Sequence, residues 1–214
     1  YLYYTALDNI QVIFIIIIFL VTFFASGTYS DSFEDGSMEI IRTTKSYKRN
    51  MCIRIIPVIF YGIVLTLIAT LGTVGMISSF VGFKALKTSF KMIALFSFGN
   101  LTIGQTIMLM MLSEIIGIFA LSSLMGYFSF KTRKTTTAIG IGVSLSIFYM
   151  IGSKIVSLPA MKCLLNAIPM ASSYVLPNMY GFSIDFGIWE PYSIILENMM
   201  VFILSTIVNI VPRH

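Results

Sequence analysis

The sequence predicts an all-α membrane protein, a polytopic bundle of helices that cross the bilayer several times. Of its 214 residues, 57% are hydrophobic and 11% are charged, whereas soluble domains carry about 25% charged residues. The mean hydropathy is +0.92, and a water-soluble fold of this length could not bury so much apolar surface. The apolar residues also form runs of about 20 residues, the length a helix needs to cross a hydrocarbon core of roughly 30 Å.

Five apolar runs predict five spans within one membrane domain, residues 1–214. The spans are expected at residues 10–29, 55–80, 101–127, 135–153 and 192–211. Pro57 is expected in the first turn of the second span, where a proline costs least. The apolar stretch that contains the third run is too long for one span, so we place a break near Gly99 and Asn100.

Basic residues between the spans predict the orientation. They are densest on one side, which we assign to the cytoplasm, and that side carries Arg42, Lys45, Lys48, Arg49, Arg54, Lys131, Arg133 and Lys134. The net charge of +5 is held in such short clusters, so we expect membrane lipids and no nucleic acid as partners. We expect a multi-pass protein of a cell membrane, and specifically of a bacterial cytoplasmic membrane.

The connection over residues 155–190 is too long and too apolar for a simple loop. Prolines and glycine interrupt it, and its Tyr and Trp residues suit the headgroup zone. Short re-entrant helices that dip into the outer leaflet before the last span would explain this composition.

The segment over residues 31–49 has acidic residues at its start and basic residues at its end. This order suits a helix, whose N-terminus favours carboxylates and whose C-terminus favours cations. Met38 and Ile41, together with Ile40, would give the helix an apolar side. We therefore predict a short amphipathic helix along the cytoplasmic face.

The same segment resembles the membrane subunits of ABC transporters of the type-2 export class. In that class a span is followed by an acidic residue, Gly-Thr, a short helix and a basic residue that leads into the next span. The matching residues here are Phe33-Glu34-Asp35-Gly36-Ser37-Met38, with Ser37 in place of threonine, and then Lys48 or Arg49. The layout is similar too, because the class has six spans and re-entrant helices before the last. The resemblance implies that a first span precedes Tyr1.

The resemblance further implies a permease subunit without a catalytic site of its own. A separate ATPase subunit would bind ATP and Mg²⁺, and a second permease subunit, identical or related, would complete the transporter. The residues implied in coupling to the ATPase are Phe33, Glu34, Gly36, Ser37, Met38, Ile41 and Arg49. The alternative for this segment is an amphipathic helix that only rests on the lipid surface. An amphipathic or hydrophobic substrate, such as an antimicrobial or toxin-like peptide, a drug or a lipid, would suit an apolar permease.

Small and polar residues recur at helical spacing in the second and third spans. They could pack helices closely, or they could line a translocation path formed by Thr66, Thr70, Thr73, Thr102, Thr106, Ser113 and Glu114. Glu114 is a carboxylate deep inside a span, where an unpaired charge costs at least about 3 kcal/mol. It could face a cavity that receives a cationic or amphipathic substrate, or it could bond to a hydroxyl or basic group as a structural partner.

Catalytic motifs are absent from the sequence, so we do not expect an enzyme. The single histidine is His214, and there is no nucleophile elbow and no phosphate-binding G-x-x-x-x-G-K-[ST] loop. A secondary carrier is an alternative to the exporter, although such carriers use coupling-ion sites and repeats that are not evident here. A non-transporting scaffold or immunity protein that sequesters a peptide is another alternative.

Overall fold

The computed structural model describes residues 2–43, 47–94, 97, 99–156, 159–180, 184–185 and 188–210. Over these residues the fold is all-α, apart from a two-residue antiparallel pairing of β1 (Ile184–Asp185) with β2 (Ile188–Trp189). Five of the described helices are long and apolar enough to cross a membrane. They are α1 (Leu2–Glu34), α3 (Tyr47–Val81), α4 (Ile103–Thr132), α5 (Thr135–Ile155) and α8 (Glu190–Ile210). The predicted fold class is confirmed, and the chain is a multi-pass membrane protein.

Three of these helices are longer than the apolar runs that predicted them. With 33, 35 and 30 residues, α1, α3 and α4 are about 45–53 Å long at 1.5 Å per residue, which exceeds the hydrocarbon thickness. Their ends therefore extend beyond the hydrocarbon. Because α3 already begins at Tyr47, Pro57 lies inside the helix rather than in its first turn as expected.

Shorter elements join the spans. They are α2 (Ser37–Thr43), α6 (Pro159–Asn166), α7 (Val175–Met179) and the 3-10 segments Phe83–Lys87, Phe90–Met92 and Pro169–Tyr174. Thr102 caps α4 reciprocally with Gln105, which fixes the start of that helix. The break between the short 3-10 segments and α4 thus falls where Gly99 and Asn100 predicted it.

Helices α1 and α4 form the centre of the bundle. α1 packs against α3, α4 and α5, and α4 packs in addition against α8. The shared core contains Phe14 and Ile18 of α1 with Met110 and Ile118 of α4, all fully buried. α3, α5 and α8 instead present exposed apolar side chains on their outer faces, among them Phe60, Phe148 and Met200. Such faces suit contact with lipid.

The bundle has two ends that we name by the helices they contain. The α2 end consists of α2, the last turn of α1, the start of α3 and the turn from α4 to α5. The α6 end consists of α6, the Pro169–Tyr174 segment, the start of α8 and the connection from α3 to α4. Both ends contain buried polar residues, and these are the candidate functional sites.

Candidate functional site

The chain reverses sharply between α1 and α2. The Asp35 amide donates to the Asp31 carbonyl at 2.9 Å and the Gly36 amide to the Phe33 carbonyl at 3.3 Å, closing the end of α1. Gly36 then adopts a φ of +72°, a conformation in which a side chain would be strained. The glycine of the FEDGSM segment therefore has a structural reason, since it redirects the chain into α2.

Helix α2 lies against the bundle through Met38, which is 2% exposed. Met38 packs with Tyr29 in a small cluster. The partly buried side chains around this pair are Phe33, Ile41, Ile55 and Phe130. The amphipathic helix is thus present, but it covers Ser37–Thr43 and not residues 31–49, because residues 31–34 continue α1 and residues 47–49 begin α3.

Three of the residues implied in ATPase coupling are turned toward the bundle, whereas Glu34, Gly36 and Arg49 are exposed. Phe33, Met38 and Ile41 face the bundle, where Phe33 meets the ring of Phe130 at 5.6 Å. The outer face of α2 exposes Glu39 and Ile40, neither of which was implied in coupling. The expectation that Ile40 shares the apolar side with Met38 and Ile41 is wrong, because Ile40 is 71% exposed. In the sequence, the i, i+3 spacing of Met38 and Ile41 indicates that these two residues share the inner face of the helix and that Ile40 does not.

Two other implied residues lie at the start of α2 and in the first turn of α3. The Ser37 hydroxyl donates to the Ser32 carbonyl at 3.4 Å, so it ties α2 back to the end of α1. Arg49 lies in the first turn of α3 and is exposed. The side chains of Arg42, Lys45 and Lys48 are outside the described residues.

The carboxylates at the end of α1 bind the start of α5. The Thr135 amide donates to Glu34 Oε1 at 2.8 Å, and the Thr135 hydroxyl donates to Asp31 Oδ1 at 2.9 Å. The residue before α5, Lys134, makes no capping bond with its own side chain. Glu34 therefore caps α5 from another helix, with a negative charge at the end of a helix that favours one.

Helix α4 is joined to the same place through Ser129. Its hydroxyl oxygen accepts bonds from the amides of Tyr29 at 3.1 Å and Ser30 at 2.8 Å. Arg54 of α3 adds a bond to the Ser32 hydroxyl and one of 3.5 Å to the Thr28 carbonyl. The last turns of α1 are thus connected by hydrogen bonds to α3, α4 and α5.

Glu114 lies at the other candidate site, on the side of the α6 end. Its side chain is completely buried in α4. Oε2 accepts a bond of 2.9 Å from the Ser173 hydroxyl and one of 3.4 Å from the Ser172 hydroxyl. Within the described part of the chain, Oε1 and the neighbouring Ser113 hydroxyl have no hydrogen-bond partner.

The two serines reach Glu114 because the Pro169–Tyr174 segment enters the bundle. Glu114 is eleven residues after the first residue of α4, a depth of about 16 Å along the helix. Five consecutive residues of the segment, 169–173, are buried, which suits irregular backbone at membrane depth because protein rather than lipid surrounds it. Gly117 permits the approach, since a methyl group there would overlap the Ser172 side chain.

The remaining residues of the expected translocation path make local bonds. Each of Thr66, Thr70 and Thr73 donates its hydroxyl to the carbonyl four residues earlier in α3. Thr106 does the same in α4 by bonding to Thr102, the residue that caps that helix. A side chain at Gly62 would meet Ile118 and Val21. Gly62 therefore lies at a close contact between helices, and the function of the threonines as a path stays a prediction.

A further polar cluster, which the sequence did not predict, holds α6 against α8. Lys162 Nζ lies 2.9 Å from Oε1 of Glu190, whose side chain is 1% exposed. The Asn198 amide nitrogen donates to the Asn166 carbonyl at 3.3 Å. These bonds attach the region before α8 to the last span, and both α6 and α8 contact the Pro169–Tyr174 segment.

Comparison with protein-family models, curated proteins and solved structures found no match for this chain. The function therefore has to be inferred from the two sites.

Proposed function

We propose that this chain is the membrane-spanning permease subunit of an ATP-driven exporter of the ABC type-2 class. A separate ATPase subunit would bind ATP and Mg²⁺ and would contact the α2 end from the cytoplasm. A second permease subunit, identical or related, would complete the path for an amphipathic or hydrophobic substrate. The observation that carries this proposal is the arrangement of α2, a short helix between two spans.

The arrangement of α2 suits the transmission of force. Its inner face is anchored through Met38, while Glu39 and Ile40 on its outer face are available to a protein groove. A displacement of α2 would act on the end of α1, and the bonds of Glu34 and Ser129 connect that end to α5 and α4. An ATPase that moved α2 would thereby act on several spans at once.

Glu114 supports the transport part of the proposal. A buried carboxyl group with one oxygen free of partners among the described residues is costly in a membrane, and such groups commonly mark transport pathways. The segment that covers it contacts α1, α4, α5 and α8, so a change in the helix arrangement would change the surroundings of Glu114. Replacing Glu114→Gln should preserve assembly and reduce transport if the group acts on substrate, whereas a purely structural function predicts lost assembly.

Photo-crosslinking from α2 tests the ATPase partner. Both native cysteines are first replaced, by Cys52→Ser and Cys163→Ser. The substitution Ile40→Cys then provides one cysteine, which is labelled with a photoactivatable maleimide in membranes of the natural host. The matched control is Lys87→Cys, an exposed position at the opposite end of the bundle. We expect position 40, but not position 87, to crosslink to a polypeptide that an azido-ATP probe also labels. Crosslinks to no ATP-binding polypeptide would overturn the proposal.

The alternatives give different results in reconstituted vesicles. A secondary carrier would transport its substrate as the purified chain alone, driven by an ion gradient and without ATP. An immunity or scaffold protein would bind a peptide without moving it across the membrane. An exporter requires the crosslinked ATPase and ATP for any accumulation of substrate.

A further inference from the structure

The connection from α3 to α4 forms a basic surface with exposed apolar side chains, which we name the lysine surface. It consists of Lys84, Lys87 and Lys91 together with Phe83 and Met92. Phe83 is 72% exposed and Met92 is 79% exposed. Lys84 and Lys87 are exposed as well, and Lys91 is partly exposed.

This surface is held in place by the backbone of the connection. The Phe90 amide donates to the Leu101 carbonyl at 2.8 Å, and the Ile103 amide donates to the Thr88 carbonyl at 2.9 Å. Phe90 itself is fully buried and stacks on Tyr180, with ring centroids 5.7 Å apart. With Phe90 and Ala85 directed inward, the lysines remain on the outside of an ordered segment.

The charges of the lysine surface are not compensated by the protein nearby in sequence. The chain contains no Asp or Glu between Glu39 and Glu114. Among the described residues, none of the three lysines has an ion-pair partner. Three cationic groups on one short connection are thus available to anions from the surroundings.

The position of the connection indicates where these anions come from. It joins the end of one span, Val81, to the start of the next, Ile103, so it lies at the level of the lipid headgroups. Exposed Phe and Met side chains are costly in water but favourable at the edge of the hydrocarbon. Lysines beside them place their ammonium groups among phosphates while their methylene chains cover apolar surface.

We propose that the lysine surface binds anionic phospholipids by their phosphate-bearing headgroups. Because 3-10 geometry has three residues per turn, Lys84 and Lys87 lie on the same side of the Phe83–Lys87 segment and can share one headgroup. The exposed Phe83 enters the acyl region next to it. This interaction is independent of the exporter proposal and would hold for any function of the bundle.

Native mass spectrometry of the whole chain tests the proposal. The protein, purified in mild detergent, is mixed with equal amounts of phosphatidylglycerol and phosphatidylcholine, and the bound lipids are counted. We expect a preference for phosphatidylglycerol that weakens as ammonium acetate concentration rises. Each lysine near an anionic surface contributes about fivefold in affinity, so the variant Lys84→Gln/Lys87→Gln/Lys91→Gln should lose at least about tenfold.

Two further variants keep the result specific. Lys131→Gln/Lys134→Gln/Lys154→Gln removes the same charge elsewhere and should retain the preference. Lys84→Arg/Lys87→Arg/Lys91→Arg keeps the charge in place and should retain it too. An equal loss in the first of these controls, or a wild-type chain that binds both lipids equally, would overturn the proposal.

Discussion

The two ends of the bundle hold carboxylates in opposite ways. At the α2 end, Glu34 is exposed and accepts a backbone amide of α5 at the surface. Glu114, on the side of the α6 end, is completely buried and accepts hydroxyl groups from a segment inside the bundle. The exposed bond of Glu34 can be exchanged for bonds to water at small cost, whereas those of Glu114 cannot. The Glu34 bond can therefore break and re-form on its own, whereas the Glu114 bonds would change only together with a rearrangement of the segment that covers them.

The largest expected effect comes from closing the space beside the Pro169–Tyr174 segment. Gly117→Ala would place a methyl group against Ser172 and 3.2 Å from the Pro169 carbonyl oxygen. We expect a loss of about 3 kcal/mol in unfolding free energy from overpacking, measured as the denaturation midpoint in detergent. Gly140→Ala is the control, because nothing lies within 4 Å of the added carbon there, and it should be neutral or stabilising. Failure of Ser172→Gly to relieve Gly117→Ala would contradict this packing.

Removing the anchor of α2 should have the next largest effect. Met38→Ala deletes a side chain that is 2% exposed, and we expect a cost of about 2 kcal/mol. Ile40→Ala on the same helix, at a site 71% exposed, should stay within about 0.5 kcal/mol. Unfolding in detergent measures both variants. Equal losses would show that α2 does not dock by the face containing Met38.

The bond between Ser173 and Glu114 should be measurable by a double-mutant cycle. Combining Ser173→Ala with Glu114→Met should give a coupling energy of about 1 kcal/mol. The same cycle with Ser172→Ala should give less, because Ser172 lies 3.4 Å from the carboxylate oxygen and also bonds to the Pro169 carbonyl. A larger coupling for Ser172 than for Ser173 would contradict the described geometry.

The smallest effect is expected at the α2 end. Glu34→Gln retains an acceptor for the Thr135 amide but removes the charge at the N-terminus of α5, worth about 0.3–1 kcal/mol. Amides over residues 135–138 should exchange about twofold to fivefold faster by hydrogen-exchange mass spectrometry. Glu39→Gln, on the outer face of α2, should leave these amides unchanged. Unaltered exchange in both variants would argue against Glu34 as a cap.

The sequence was sufficient to predict the five spans, because long apolar runs avoid contact with water when they lie in the lipid. The helix itself ends later than the predicted span, since residues 30–34, polar except for Phe33, continue α1. These residues remain helical where Ser129 and Thr135 provide partners from α4 and α5. Hydropathy identifies the part of a helix that crosses the hydrocarbon. It does not detect contacts between helices beyond the hydrocarbon, such as these.

The partners of Glu114 could not be predicted from periodicity. Ser173 is 59 residues away along the chain and lies in a segment without helical repeat. The sequence offered one signal for these partners, which is a pair of serines between Pro169 and Pro177 in an otherwise apolar stretch. The inward face of α2, in contrast, followed from the spacing of Met38 and Ile41, although the resemblance assigned those residues to a partner protein.

The buried Pro169–Tyr174 segment has a consequence for how the protein is made. Each long helix can enter lipid as an independent unit, because its backbone bonds are internal. This segment, with its 3-10 backbone and two serines, cannot enter lipid as an independent unit. The helices that surround it include α4, which is synthesised before it, and α8, which is synthesised after it. We therefore expect its packing to be completed late in biogenesis, once the last span is in the membrane.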